Sequence, residues 1–372
     1  MTGFRVLICG GGIAAVEGLL RLRRLTGDAL ALTLLSPSEE LRYRPMAVQE
    51  PFSRPAARRY PLREIARRAG ADWVQANLEW VDPDRQEAHT GDSQSLPYDA
   101  LLVAVGARTK VPYKHVTVFD DAHADDTYRG VVQDVEGGYT RSVALLVPEG
   151  PAWPLPVYEL ALMTAERAYS MGMDGFAVDV VTAEPEPLAA FGHAASEAVR
   201  VFLAERGVAV HARSHAEVPV ARKVVVRPGD LELERERIVA MPRLVGPRLR
   251  GLPADEDGFV PVDERCCVRG LEPRVFAAGD AANLEVKHGG LGAQMADTAA
   301  AAIAALAGAD VEVEPLRPVI HGVLYTGAEP LYLTARLEHG GVVESELSRE
   351  PVWPKDEKVL AEELTPFLRS LA

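Results

Sequence analysis

The chain opens on a stretch that is apolar but for Arg5, Phe4 to Cys9, without the polar alternation of a half-solvated strand. That pattern predicts a strand buried on both faces of a parallel sheet. Gly10, Gly11 and Gly12 follow, and then an amphipathic stretch of helical period from Ile13 to about Leu25. A second strand is expected over Ala29–Leu35 and a third from Ala100 through Ala104 and Val105 to Gly106. The alternation then repeats: strand Ser142–Val147, helix Leu155–Met171, strand Phe176–Thr182, helix Ala194–Arg206 and short strands through Val239. Beyond Pro242 come two more expected strands, Cys266–Val268 and Phe276–Asp280, before an alanine-rich stretch from Gly290 to Leu306. The tail alternates over Val319–Tyr325 and Leu331–Leu337. It ends in an expected helix, Pro354–Leu371, whose stripe of Val359, Leu360, Leu364, Phe367, Leu368 and Leu371 needs a partner surface.

This order of elements predicts an α/β protein with two Rossmann-like dinucleotide-binding domains and a small C-terminal α+β tail. The first domain is expected to be discontinuous, residues 1–110 and 242–315, with the second domain at 111–241 and the tail at 316–372. The acidic polar face of the last helix, Asp356, Glu357, Glu362 and Glu363, argues against a membrane surface and for packing on the protein body or a dimer partner.

Composition narrows the class. A length of 372 residues allows two or three domains, and 48% hydrophobic with 25% charged residues is ordinary for a globular enzyme. A net charge of −14 excludes non-specific nucleic-acid binding, which needs a basic face. No apolar run reaches the roughly 18 residues of a membrane span, and the strand at Phe4 leaves no room for a signal peptide, so the cytoplasm is the expected location. Cys9, Cys266 and Cys267 form no Cys-x-x-Cys pair and read as structural. No metal-ligand set is assigned.

The candidate chemistry lies in two segments far apart in the chain. Gly10 to Ala15 is a G-x-G-x-x-A turn: Gly10 for the bend, Gly12 for close approach of a pyrophosphate, Ala15 for close helix–sheet packing. The helix that starts at Ile13 and Ala14 turns its free amides and positive dipole end on the phosphates. The second segment, Val275–Ala282, offers Gly279 and Asp280 ahead of the helix near Gly290, so the two together read as one FAD site. The acid expected at the end of the second strand is missing, leaving Ser36 or Glu39 for the adenosine ribose. Eight arginines between Arg42 and Arg68 face either an anion or solvent. In the second domain the glycine turn is replaced by Pro148-Glu149-Gly150-Pro151-Ala152-Trp153-Pro154-Leu155-Pro156, where four prolines remove four backbone donors and a tryptophan obstructs a phosphate. Nicotinamide binding there is expected to be lost or altered. Glu184 stands where a ribose-binding acid or an exposed turn residue would lie.

Gly10–Ala15, Val103–Arg108 and Val275–Ala282, in this order, resemble the motifs of the pyridine-nucleotide–disulfide oxidoreductase flavoproteins. Arg42-Tyr43-Arg44-Pro45 and the stretch Lys287 to Gln294 resemble its type II NADH dehydrogenase and sulfide:quinone reductase branch. The resemblance implies an FAD held by Gly10, Gly12, Ile13, Ala14 and Ala15, with Ala104, Val105 and Gly106 beside it. It places Asp280 on the ribityl chain or phosphate, with Gly279 allowing the approach. The helix N-terminus at Gly290 and Leu291 would face the flavin edge, joined by Arg44, Lys287 and Gln294. The branch's redox cysteines are absent, which removes sulfide oxidation by that route. Three functions are therefore carried forward. The first is an FAD-dependent oxidoreductase passing two electrons to a small-molecule or quinone-like acceptor. The others are an NAD(P)H-dependent quinone or electron-carrier reductase and a low-turnover flavin-binding sensor or scaffold.

Overall fold

The computed structural model describes residues 3–54, 57–338 and 341–371. Its helices are α1 Ile13–Thr26, α2 Leu62–Arg68, α3 Ala124–Glu136, α4 Leu155–Ser170, α5 His193–Glu205, α6 Gly289–Leu306 and α7 Leu364–Arg369. Two parallel five-stranded sheets organise them. In the first, the order is Val275–Ala277, Ala100–Val103, Phe4–Cys9, Leu30–Leu35, Asp72–Val74. Val275 pairs with Leu101, and Val6 with Ala100, so the remote segment docks one strand away from the first. All six residues of the central strand except Phe4 and Arg5 are buried, as an apolar run in a parallel sheet requires.

Helices α1 and α6 lie together on this sheet because their facing residues are small. A Cβ on Gly18 would come within 2.6 Å of Leu102 and 3.6 Å of Ala296. Nearer the N-termini, a Cβ on Gly279 would lie 3.1 Å from that of Ala14, and one on Gly292 would lie 3.1 Å from Gly279 Cα. Small residues thus bring two helix N-termini, remote in sequence, against one turn.

The second sheet runs Thr117–Val118, Arg237–Ala240, Ser142–Leu146, Ala177–Val181, Val208–His211, all parallel, with α3, α4 and α5 about it. The tail forms an antiparallel sheet, Val319–Leu324, Leu331–Glu338 and Gly341–Ser348. Its buried residues Ile320, Leu324, Leu331 and Leu333 share a core with α4 and with Leu291.

Two expected elements differ. Cys266–Val268 is no continuous strand: Cys267 and Val268 make single bridges to Phe276 and Val262, after a bend at which Cys266 has φ +61° and the Asp263 carboxylate accepts from the amides of Arg265 and Cys267, both at 2.9 Å. The expected final helix is helical only over Leu364–Arg369, and the residues before it form an irregular strap. The cause is local. Glu17 on α1 accepts from the amides of Glu363 at 2.9 Å and Leu364 at 2.6 Å, fixing where α7 begins. Val359, Leu364 and Leu368 bury themselves in the core of the first sheet, so the stripe finds its partner on the protein body.

Asp297 on α6 faces Glu17 with one carboxyl oxygen buried and unpartnered among the described residues. Burial, then the Glu17 charge, pushes its carboxyl up to about 8. The folded chain therefore keeps a proton that the unfolded chain sheds near pH 4, so stability falls as pH rises from about 4 to about 8. Asp297→Asn, neutral throughout, should match wild type near pH 4 and melt higher by pH 8. A melting-temperature offset that is the same at both pH values would contradict this.

Candidate functional site

The first strand ends at Gly10, whose φ is +139° and where a Cβ would collide with the Ala104 carbonyl. Ala104 returns a bond from its amide to Cys9 O at 2.7 Å, locking the two strand exits together. Gly12 is different in kind. It is exposed, its φ is −91°, and no heavy atom lies within 4 Å of where its Cβ would be. The amides of Gly11 to Ala15 meet no acceptor among the described residues, and no side chain caps α1. Unsatisfied donors at a helix N-terminus beside open space form an anion cradle.

Gly279 and Asp280 form the opposing wall. Ala278 N bonds Val103 O at 3.0 Å, and Gly279 turns with φ +70°. The partly exposed Asp280 carboxylate has no hydrogen-bond donor among the described residues. Burial raises its pKa against the pull of Lys287, and Asp121 and Arg44 also act on it. Arg44 pairs with Asp121 at 3.4 Å, placing both near this wall. At the start of α6 the amides of Gly289 and Gly290 likewise lack acceptors among the described residues.

Gly10, Gly12, Ile13, Ala14, Ala15, Ala104, Gly279, Asp280, Arg44 and Gly290 are thus gathered around one region, with Val105 and Gly106 following Ala104 in the chain. Four other expected cofactor residues are committed elsewhere. Ser36 is 1% exposed beneath Gly11 and accepts from Ser38 N at 3.2 Å, while Glu39 bonds Gln75. Lys287 is buried, its ammonium on the carbonyls of Asp280 and Ala282 and 3.7 Å from the Phe259 ring centroid. It braces the acidic turn from behind, and burial lowers it to about 8. Leu291 is buried, with its amide on His288 Nδ1 at 3.3 Å. Gln294 spends its amide on Val319, at 2.7 Å and 2.9 Å, tying α6 to the tail sheet. The pattern could not show this, because a polar residue after a glycine turn reads alike whether it faces ligand or backbone.

The arginines resolve into structural pairs: Arg42 with Glu50, Arg58 with Asp356, Arg59 with Glu40, and Arg67 and Arg68 with Glu64. Arg54 bonds Gly327 O, and Arg63 lies over Trp73. Sequence reasoning missed two residues, Glu159 and Lys358. Glu159 and Lys358 are buried and bonded through both carboxylate oxygens at 2.7 Å. An acid on the apolar face of α4 was the available signal.

The second domain's turn is closed from outside. Ala152 N bonds Glu285 O and Lys287 N bonds Ala152 O, both at 3.2 Å. Trp153 packs on His288 and Phe191, with ring centroids 4.6 Å and 5.7 Å apart. Glu184 is likewise engaged, accepting from Tyr158 at 2.7 Å and Thr182 at 3.1 Å, and burial raises it to about 7.

The cradle at Gly12, the orphaned Asp280 carboxylate and the paired helix N-termini fit FAD: amides for its pyrophosphate, a carboxylate for its hydroxyls, helix dipoles for its ring. Residues 159–305 match the family model described as pyridine nucleotide-disulphide oxidoreductase. The fold is similar to that of the sulfide:quinone oxidoreductase of the hyperthermophilic bacterium Aquifex aeolicus, at 19% identity and a TM-score of 0.79, covering 93% of this chain and 87% of that one. It is also similar to a ferredoxin reductase of Rhodopseudomonas palustris (18%, 0.66, 89% and 82%). An NAD-dependent persulfide reductase of A. fulgidus gives 17%, 0.64, 90% and 64%. At such identities the likeness is one of fold. The family match runs from α4 to α6, and the shared fold extends along nearly the whole chain.

Proposed function

We propose that this protein passes two electrons from a donor other than NAD(P)H to a small quinone-like acceptor. Bound FAD supplies the redox chemistry, and the protein supplies binding, orientation and electrostatics. The observation that carries the reading is the closed second turn. The backbone groups of Ala152 are bonded to the 285–287 segment, and Trp153 lies on His288, where a second dinucleotide would need open amides. Glu184 is engaged within its own loop, with Oε2 accepting from both Tyr158 and Thr182.

Two of the chain's three thiols, Cys9 and Cys266, add nothing to the electron path. Cys9 and Cys266 are buried, and burial pushes Cys266 up to about 12 and Cys9 higher, so neither offers a thiolate at neutral pH. The N-termini of α1 and α6 favour negative charge on the cofactor, and Lys287 holds the Asp280 turn in place. No helix among the described residues is long and apolar enough to cross a membrane. The acceptor is taken as quinone-like because the similarly folded protein of Aquifex aeolicus is named for a quinone.

Anaerobic titration separates this from an NAD(P)H-dependent reductase. Dithionite should bleach the visible flavin band, while NADH and NADPH in excess should leave it intact. Stoichiometric bleaching by either nucleotide would overturn the proposal.

A further inference from the structure

The segment between the tail sheet and α7 has an unusual course. Pro354, Lys355 and Asp356 are exposed, Lys358 and Val359 are buried, and Glu362 is exposed again. The Lys358 ammonium reaches Glu159 on α4 at 2.7 Å to each oxygen, beside the Tyr325 ring. Tyr325 N also donates to Glu159, at 3.0 Å. The Val359 amide donates to the Tyr43 hydroxyl at 2.9 Å. A Cβ on Gly289 would lie 3.0 Å from Val359 Cγ2 and 2.9 Å from Ile13 Cδ1. Ile13 and Gly289 are the first residues of α1 and α6. Val359 is therefore wedged beside the two helix N-termini that flank the cradle, and Glu17 holds the far end of the strap through Glu363 and Leu364.

We propose that residues 353–364 are a latch across the FAD cleft, and that flavin is taken up and released only when Lys358 leaves Glu159 and Val359 withdraws from between Tyr43 and Gly289. This rests on the cofactor cleft described above. The arrangement suits a latch because hydrated chain leads into a plug of three buried residues, Lys358, Val359 and Ala361, outside any helix or strand, so the plug can move without unfolding one. The Lys358–Glu159 pair makes release an all-or-none event, since a partly withdrawn strap leaves both charges unpaired in an apolar setting. A dinucleotide held at the N-termini of both α1 and α6 would lie near Val359. A gate differs from a simple contact in its kinetics, because opening it speeds passage in both directions.

The test uses the full-length chain and two variants. Val359→Gly removes the wedge and keeps the ion pair. Glu159→Leu with Lys358→Met removes the ion pair and leaves no lone buried charge. Flavin fluorescence follows release on dilution and uptake on mixing with apoprotein. In both variants release and uptake should each quicken by about tenfold or more, with the dissociation constant little changed. Unchanged rates in both variants, or a rise in the release rate alone, would overturn the latch. A wild-type chain that takes up no flavin would give no rate to measure, and would count against the cofactor reading instead.

Discussion

Gly12→Glu should leave the fold as stable as wild type and abolish FAD binding. The backbone at Gly12 has φ −91° and ψ −172°, an extended conformation open to any residue, and nothing occupies the space its side chain would enter. A carboxylate at the start of α1 also meets the positive end of the helix dipole, contributing about 0.3–1 kcal/mol in favour of folding. The same carboxylate would stand where the pyrophosphate belongs and repel its charge. Melting curves of the two flavin-free proteins should therefore superimpose to within about 2 °C, while FAD at micromolar concentration should no longer bind the variant. If the variant binds flavin like wild type, the free amides of Gly11 to Ala15 are not the phosphate site. Gly10 offers no such test, because a Cβ there collides with Ala104 and would disturb the strands themselves.

Lys358→Met should be the most destabilising single change in the tail. It leaves Glu159, 0% exposed, with only the Tyr325 amide against its charge. Breaking a buried pair by removing one partner costs about 3–5 kcal/mol, whereas replacing both members by apolar residues of similar volume is often neutral. Chemical denaturation should show that loss for Lys358→Met and recover most of it in the double variant with Glu159→Leu. Burial pushes both groups towards their neutral forms, raising Glu159 and lowering Lys358. The single variant should accordingly regain stability as pH falls and Glu159 takes up a proton. A loss below about 1 kcal/mol, typical of an exposed pair, would mean the pair is solvated.

The contrast between these residues shows what was legible beforehand. The first sheet could be read because parallel strands buried on both faces appear as apolar runs, and observed and expected bounds for Phe4–Cys9 coincide. The cradle could be read because its chemistry resides in backbone amides, which only small residues expose. The proline turn could be read because missing donors are a property of residue type. Ser36, Lys287 and Gln294 could not be assigned, because a polar side chain near a ligand and one bonded to backbone leave the same trace in one dimension. The strap was hidden for a related reason. Its apolar positions fit a helix, and remote groups, among them the carboxylates of Glu17 and Glu159 and the Tyr43 hydroxyl, hold it in another form.

The central claim is that Gly12 and Asp280, remote in sequence, hold one and the same FAD. A crystal structure of the flavin-loaded protein tests it most directly. The account predicts a single FAD whose pyrophosphate accepts hydrogen bonds from the amides at the start of α1 while the Asp280 carboxylate accepts from its hydroxyls. A flavin that touches one of these segments and not the other, or that lies outside the cleft between them, would contradict it.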